Sequence, residues 1–389
     1  MNILVLGMGL MGPTIVKDCC ADPEVTKVTG CDIDPKKLVE AEKYVDNPRF
    51  DTAVVSVTDH DGLVEIMKGY DVVIHGTASR YSLNALKAAM EAKVDIVDLA
   101  GGGYPQEGAI YGEVEEAGIT AMPGCGVDPG LIDILSGQAI HMLDQADEVL
   151  FACGGLPAEP EPPLDYKIVF GGTKMPVRPG KVPMIVDGEQ LEMDRYSEVE
   201  SIFVEGLEPM EAFVDGYPSS LLKLCLEKGV QHFRGKTIRY SGFVDKITFL
   251  NDLGLISEEP VDYDGVRVVP RELFHKIVYP LVRFDTSEGD RDLTVLLVRV
   301  SGTKDGKETV ISYDMVDFYD EEKQITSMAK TTGYTAALIA RMLGRGAIDG
   351  KGIQWPVRVI HGKLCEELLG SLRERGVTVT ETVTTRTTM

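Results

Sequence analysis

Three glycines and one aspartate near the start of the chain carry the clearest chemistry. Gly7, Gly9 and Gly12 stand in G-x-G-x-x-G spacing within MNILVLGMGLMG, and Asp32 follows 20 residues after Gly12. The first glycine permits a tight turn, the second lets backbone approach a pyrophosphate, and the third lets a helix press on the preceding strand. The N-terminus of that helix offers free N–H groups and a partial positive charge to phosphates. A carboxylate at Asp32 accepts both ribose hydroxyls of NAD and repels the 2′-phosphate of NADP. The motif predicts a dinucleotide site for NAD in preference to NADP. Leu10, Met11 and Ile33 flank the fingerprint, and Val57, Thr77 and Ala78 face it across the crevice. The competing reading makes Asp32 a helix cap, a task that Asp34 before Pro35 performs better.

A second group of residues has the types needed to handle an amine and a carboxylate. Asp128 lies in PGCGVDPGLIDIL before Pro129, which holds it out of helical conformation. It either binds a substrate ammonium or N-caps the next helix, and one residue can do both. Cys153 closes a strand in CGGLP. Its thiol is a substrate contact or a small buried hydrophobe, and the two glycines after it imply close backbone approach or a bulge. Arg239, in KTIRYSGF, grips a carboxylate with a planar fork or lies on a strand surface. His75 ends the run DVVIH, where it is a base titrating near neutrality or a structural histidine. The acidic run 317–322 reads as a solvated face.

These residues need a frame, and the chain alternates accordingly. Strand-like runs at 3–6, 27–31, 52–57, 71–75, 94–99 and 119–122 alternate with helical runs at 14–20, 36–45, 61–68, 82–92 and 107–117. Six such units predict an α/β fold, a doubly wound Rossmann domain over residues 1–130. Ligands of such sheets bind at the carboxyl ends of the strands. After a helix at 131–143 the pattern changes to strand-like runs at 148–153, 166–170, 201–203, 237–240, 293–301 and 309–318. These predict an α+β domain over 131–325 on a mostly antiparallel sheet, with one face free to pair with a second copy in a homodimer. Helices at 327–343 and 366–376 place a third segment at 326–389, with a Thr-rich tail frayed at its end.

Composition narrows the function. A net charge of −23 repels nucleic acid and anionic membrane. No run of 18 apolar residues predicts a membrane span, and no basic segment with a cleavage site predicts a signal peptide. Seven scattered cysteines suit a reducing cytoplasm. No C-x-x-C, H-E-x-x-H or clustered His/Cys set is present, so no metal is expected.

The segments GMGLMG, GCGVDPGL, CGGLPAEPEPPLDYKIVF, TIRYSGFVDKITFLNDLGL and SMAKTTGYTAALIARML together resemble, in this order, the saccharopine dehydrogenase-like family. The nearest patterns are its lysine 6-dehydrogenase and saccharopine reductase branches. The resemblance implies a nucleotide-binding domain, a substrate and dimerisation domain, and a C-terminal helix returning to the first. It places substrate contacts on Tyr104, Asp128, Cys153 and Thr237. The implied activity is NAD(P)-dependent oxidation at the carbon–nitrogen bond of an amino acid, with lysine or a relative deaminated. The alternatives are a reductase joining an amino acid to a carbonyl compound and a non-catalytic nucleotide-binding protein. In the first, Asp128 positions the amine, Arg239 holds the carboxylate, and His75 or Asp98 serves as base. Three stretches depart from the family: GTASRYS after the fourth strand, YPSSL at 217–221 where reductase-type members carry Asn-Arg, and the C-terminal WPVRVIHG.

Overall fold

The computed structural model describes residues 1–386 apart from 106, 179 and 217–218. The chain begins with β1 (Asn2–Leu6), whose Ile3, Leu4 and Val5 have no exposed surface. Burial on both faces is the signature of a central parallel strand. Then come α1 (Gly12–Ala21), β2 (Lys27–Asp32), α2 (Pro35–Val45), β3 (Phe50–Val54), α3 (His60–Met67), β4 (Val72–His75), α4 (Ser82–Ala92), β5 (Asp95–Asp98), α5 (Ala109–Ala117), β6 (Thr120–Pro123) and α6 (Leu131–Met142). The Asp34 side chain accepts the Lys36 N–H and caps α2, leaving Asp32 free of that task. The six strands form one parallel sheet in the order 3-2-1-4-5-6, as expected of a doubly wound domain.

The second sheet has nine strands. This part of the chain carries β7 (Gln145–Pro157), β8 (Lys181–Val186), β9 (Glu189–Asp194), β10 (Glu200–Ile202), β11 (Met210–Val214), α7 (Ser219–Glu227), β12 (His232–Tyr240), α8 (Phe243–Asp252), a separate two-stranded hairpin of β13 (Val261–Tyr263) and β14 (Val266–Val268), α9 (Pro270–Val282), β15 (Asp292–Lys304) and β16 (Lys307–Phe318); the ninth strand of the sheet comes from the C-terminal tail. β7 runs through the middle, parallel to β12 and antiparallel to β15. β15 and β16 form a long hairpin turned by Asp305 and Gly306 at φ 52 and 71, the left-handed pair that suits a two-residue turn.

The strand expected at 166–170 does not form. Tyr166, Ile168 and Val169 are buried, but Pro162 and Pro163 precede them and Gly171 and Gly172 turn the chain at φ 87 and 89. The apolar run packs instead against α8 and α9, helices that the strand-rich reading missed. The run 317–322 is not wholly solvated: Asp317 is buried and pairs with Lys330 at 2.9 Å.

The chain then returns to the first sheet through α10 (Ser327–Gly344), β17 (Gly352–Ile353), α11 (Pro356–Val359), α12 (Lys363–Glu374) and β18 (Thr380–Arg386). β17 adds a seventh parallel strand beside β6. β18 pairs antiparallel with β16, so the Thr-rich tail is ordered through Arg386, and residues 387–389 lie outside those described. α6 and α10 lie against β7, β15 and β16, which covers one face of the second sheet within the chain. No helix among the described residues is long and apolar enough to cross a membrane.

α10 is anchored at both ends. Asp292 accepts the Ser327 and Met328 N–H groups at 2.8 Å each, satisfying its N-terminus. Near its far end Arg341 donates to Asp18 of α1 at 2.8 Å and pairs with Asp22 at 3.2 Å, while Arg375 reaches the other Asp18 oxygen. Replacing Arg341 by Ala leaves Asp18 buried with half its partners, a loss on the order of 3 kcal/mol in urea unfolding. A change under about 1 kcal/mol would show that α10 is held by packing alone.

Candidate active site

The glycine turn sits where β1 meets α1. Gly7 has φ +99, and a Cβ there would come 2.9 Å from Thr77 Cγ2. At Gly12 a Cβ would lie 2.0 Å from the Gly7 carbonyl oxygen, so only glycine lets α1 approach the strand. A Cβ at Gly9 would meet nothing within 4 Å, leaving room for a phosphate beside the α1 N-terminus. The turn opens into a cleft of about 430 Å³ that also takes in Asp32, Ile33, Val57, Thr77 and Ala78. Ile33 is 67% exposed, an apolar surface at the cleft rim suited to an adenine face. Asp32 accepts Met8 N–H at 2.8 Å and Asp34 N–H at 3.0 Å, which aims its carboxylate into the cleft. Leu10 stands on the other side of the turn, in a second cavity of about 230 Å³. Met11 is the residue before α1 and lines neither space. Pocket, turn and carboxylate fit a nicotinamide dinucleotide.

A larger cavity of about 660 Å³ lies at the carboxyl ends of β5, β6 and β17. It meets the cofactor cleft along 77–81, since Ser79 lines one while Ala78 and Arg80 line the other. Asp128 and Tyr104 both face it. The Asp128 carboxyl opens to the cavity yet sits deep in the protein. Burial foremost, then Asp215, raises its pKa to about 6 against the pull of Arg178 and Arg239. Asp128 does not cap α6: the residue before that helix is Gly130, whose N–H donates to Asp133 at 2.8 Å. The Tyr104 hydroxyl is buried without a partner.

The second sheet supplies the cations. Arg239 is 7% exposed, stacks 4.7 Å over the Tyr166 ring, and leaves its buried Nε unpartnered. Arg178 lines the cavity directly. Neither has a carboxylate partner among the described residues. Arg195, also lining the cavity, is neutralised by Asp215, whose other oxygen accepts the Thr237 hydroxyl at 3.1 Å. Thr237 therefore holds Asp215.

Two expectations are corrected. His75 is wholly buried and lines neither space. It stands opposite Asp98 in the β4–β5 register, bonds to that carboxylate at 2.9 Å through Nδ1, and holds Thr77 Oγ1 at 2.6 Å through Nε2. With both nitrogens engaged it orients Thr77 and is no base for a substrate. Asp98 is equally buried, its other oxygen taken by Ala100 N–H. Cys153 does not end its strand, which continues to Pro157. The glycines after it admit protein rather than ligand: a Cβ at Gly154 would meet Ile238 O at 2.6 Å, and at Gly155 Met328 Cε at 2.3 Å. Burial foremost, then the Asp128 charge, pushes the Cys153 thiol well above its usual pKa.

Asp133, Arg178, Arg195, Asp215 and Trp355 were not among the site residues expected from sequence. Asp133 lines the cavity with Oδ1 unpartnered, and burial foremost raises its carboxyl well above the usual range. Its signal was the spacing to Gly130, a helix-start pattern. Trp355 follows the two-residue β17 and donates its indole N–H to Tyr111 at 3.0 Å. Of the YPSSL departure, Tyr217 and Pro218 lie outside the described residues, while Ser220 lines the cavity.

Two family profiles match the chain. One, the saccharopine dehydrogenase NADP binding domain, covers residues 3–122, and the other, the saccharopine dehydrogenase C-terminal domain, covers 126–377. Saccharopine dehydrogenase (NADP+, L-glutamate-forming) of Saccharomyces cerevisiae is 26% identical over 66% of this chain and 59% of its own length. The chain thus spans less than two thirds of that relative. Carboxynorspermidine synthase of Vibrio alginolyticus is 25% identical over 82% of this chain and 81% of its own. The solved apo saccharopine dehydrogenase (L-Glu forming) of S. cerevisiae superimposes at TM-score 0.78 and 19% identity, covering 98% of this chain and 99% of that one, which shows a shared fold.

All seven cysteines are free thiols and buried. The native protein should therefore release almost no thiolate to Ellman's reagent within minutes, and seven after denaturation. A fast-reacting native thiol lost in Cys153→Ala would restore a reactive role for Cys153.

Proposed function

The chain belongs to the saccharopine dehydrogenase family, and from that premise we propose that it is an NAD-dependent dehydrogenase. Its reaction is oxidative deamination of an amino acid, lysine or a relative of it. One observation carries this reading: the cavity beside the dinucleotide cleft sets the Asp128 carboxylate among guanidinium groups that lack carboxylate partners. An amino acid presents the complementary pair, an ammonium for Asp128 and a carboxylate for Arg239 or Arg178. Asp32 supports NAD, since its carboxylate takes ribose hydroxyls.

Asp128 does two things. Ionised above about pH 6, it binds the substrate ammonium. With a pKa that close to neutrality it also accepts a proton from that ammonium, which frees the nitrogen lone pair to form the C=N bond. A bound nicotinamide supplies the acceptor for the hydride that leaves the amine carbon. Water then adds to the imine carbon and ammonia departs, leaving a carbonyl product. Arg239, clamped on Tyr166, fixes the carboxylate so that the reacting carbon keeps one position. Seven free thiols support a reducing, cytoplasmic setting.

A second reading rests on two guanidinium groups without carboxylate partners, Arg178 on the cavity wall and Arg239, stacked on Tyr166 and close enough to lower the pKa of Asp128. They suit a substrate with more than one carboxylate, as a reductase joining an amino acid to a carbonyl acid would form. NADH production from a single amino acid supports the first reading. Cofactor oxidation only when an amino acid and a carbonyl compound are both present supports the second.

With the active substrate, Asp128→Asn should lower kcat/KM by about 100-fold or more while NAD binding stays unchanged. Unaltered kinetics would remove Asp128 from the mechanism. Because the carboxylate form is the active one, wild-type kcat/KM should fall as pH drops through about 6, the Asp128 value. A profile flat down to pH 5 would assign the proton transfer elsewhere.

A further inference from the structure

We propose that Lys37 sets the cofactor preference of this site, receiving the 2′-phosphate of NADP so that the cleft binds both dinucleotides. The inference rests on the dinucleotide reading above and concerns the ribose end of the cleft, away from the amine chemistry.

A lone carboxylate at the end of β2 would repel a 2′-phosphate, yet Asp32 is not alone. Its two oxygens already accept the Met8 and Asp34 N–H groups, and Lys37 Nζ stands 3.9 Å from Oδ2. Asp32 keeps only 9% of its side-chain surface exposed, while Lys37 keeps 46%. Both line the cleft, and Lys37 is the more exposed of the two charges there. At 3.9 Å the pair is at the outer limit of an ion pair, so Lys37 gives up little on turning to another anion.

Three further features favour a phosphate at this place. Lys37 lies in the first turn of α2, an 11-residue helix whose N-terminal end carries partial positive charge. Arg80 lines the cleft from the opposite side, stacked 4.6 Å over Tyr81 and without a carboxylate partner among the described residues. Lys37 also lines the second cavity, which shares Gly9 with the cleft, so open space borders its side chain on both sides. The rim holds one tethered carboxylate and two available cations. A site built to exclude a phosphate would present the carboxylate unopposed.

The two roles are compatible because they use different atoms. Asp32 retains acceptor capacity toward ribose hydroxyls, since a carboxylate offers about four lone-pair directions. Lys37 supplies a mobile point charge, which suits a phosphate better than a hydroxyl.

The test is calorimetric titration of the full-length protein with NAD+ and with NADP+, needing no substrate and no turnover. Wild type should bind the two within about tenfold of each other. Lys37→Ala should weaken NADP+ by about tenfold, with NAD+ changed less than about twofold, and Lys37→Arg should keep NADP+ binding. Equal weakening of both ligands by Lys37→Ala, or no weakening of NADP+, overturns the assignment. Wild-type binding of NAD+ with none of NADP+ also overturns it but leaves the dehydrogenase reading intact. Binding of neither overturns both.

Discussion

The structure depends on the burial of α10 between the two sheets. Nearly every residue of this helix is buried, including Lys330 and Arg341. It touches each part that the chemistry needs. Gly333 brings it against Ile15 and Thr14 of α1, the helix that receives the phosphates. Thr332 approaches Gly126 in the loop bearing Asp128, and Met328 approaches Gly155 near the C-terminal end of β7. A helix so enclosed cannot shift without disturbing all three, because protein interiors are close-packed and transmit displacement. The cofactor turn, the substrate loop and the second sheet are thus held in register by one element. Its buried charges are all answered: Asp292 at the N-terminus, Asp317 on Lys330, Asp18 on Arg341.

Against that joint, where Lys330 and Arg341 each meet a carboxylate, the cavity beside it is unbalanced. Arg195 and Asp215 cancel, Asp133 is pushed toward its neutral form, and Asp128 faces two guanidinium groups without partners. Leaving buried polar groups unpaired is costly in a folded protein. Here two of the unpaired atoms, Tyr104 Oη and Asp133 Oδ1, belong to residues lining one space, and a third, Arg239 Nε, belongs to a guanidinium that acts on Asp128 in that space. Such clustering marks a place where a ligand completes the hydrogen bonds. The excess of cations over ionised carboxylates points to an anionic or zwitterionic ligand rather than a bare diamine.

The cofactor half was legible from sequence because it is local. Gly7, Gly9, Gly12 and Asp32 act through backbone turns whose demands are met within some 30 residues, and strand period and helix period are read from neighbours. The substrate half depends on contacts distant in the chain. Arg178 and Arg195 arrive from loops around β8 and β9, with no motif of their own. Trp355 is delivered by a strand of two residues, too short to leave a pattern. His75 shows the limit of position alone: its place at a strand end is right, but the register opposite Asp98 turns its ring inward. The strand expected at 166–170 failed for a related reason. Alternating apolar residues announce burial, and only a partner strand converts burial into a ladder.

The two halves meet at a short stretch, 77–81, whose residues face both spaces. Thr77 is oriented by His75 and lines the cofactor cleft, while Ser79, two residues on, lines the substrate cavity. His75, whose place at a strand end also suited a base, thus orients the seam between the two spaces. Its ring sits under the turn, fixed by Asp98, and passes that rigidity to Thr77 through one hydrogen bond of 2.6 Å. Asp98 binds Ala100 N–H through its remaining oxygen, at the start of the loop that carries Tyr104. The buried pair therefore ties the cofactor-side turn to the substrate-side loop. A polar pair at the centre of a sheet is a costly arrangement unless every hydrogen bond is made, and here each atom spent on it positions a residue that faces a ligand.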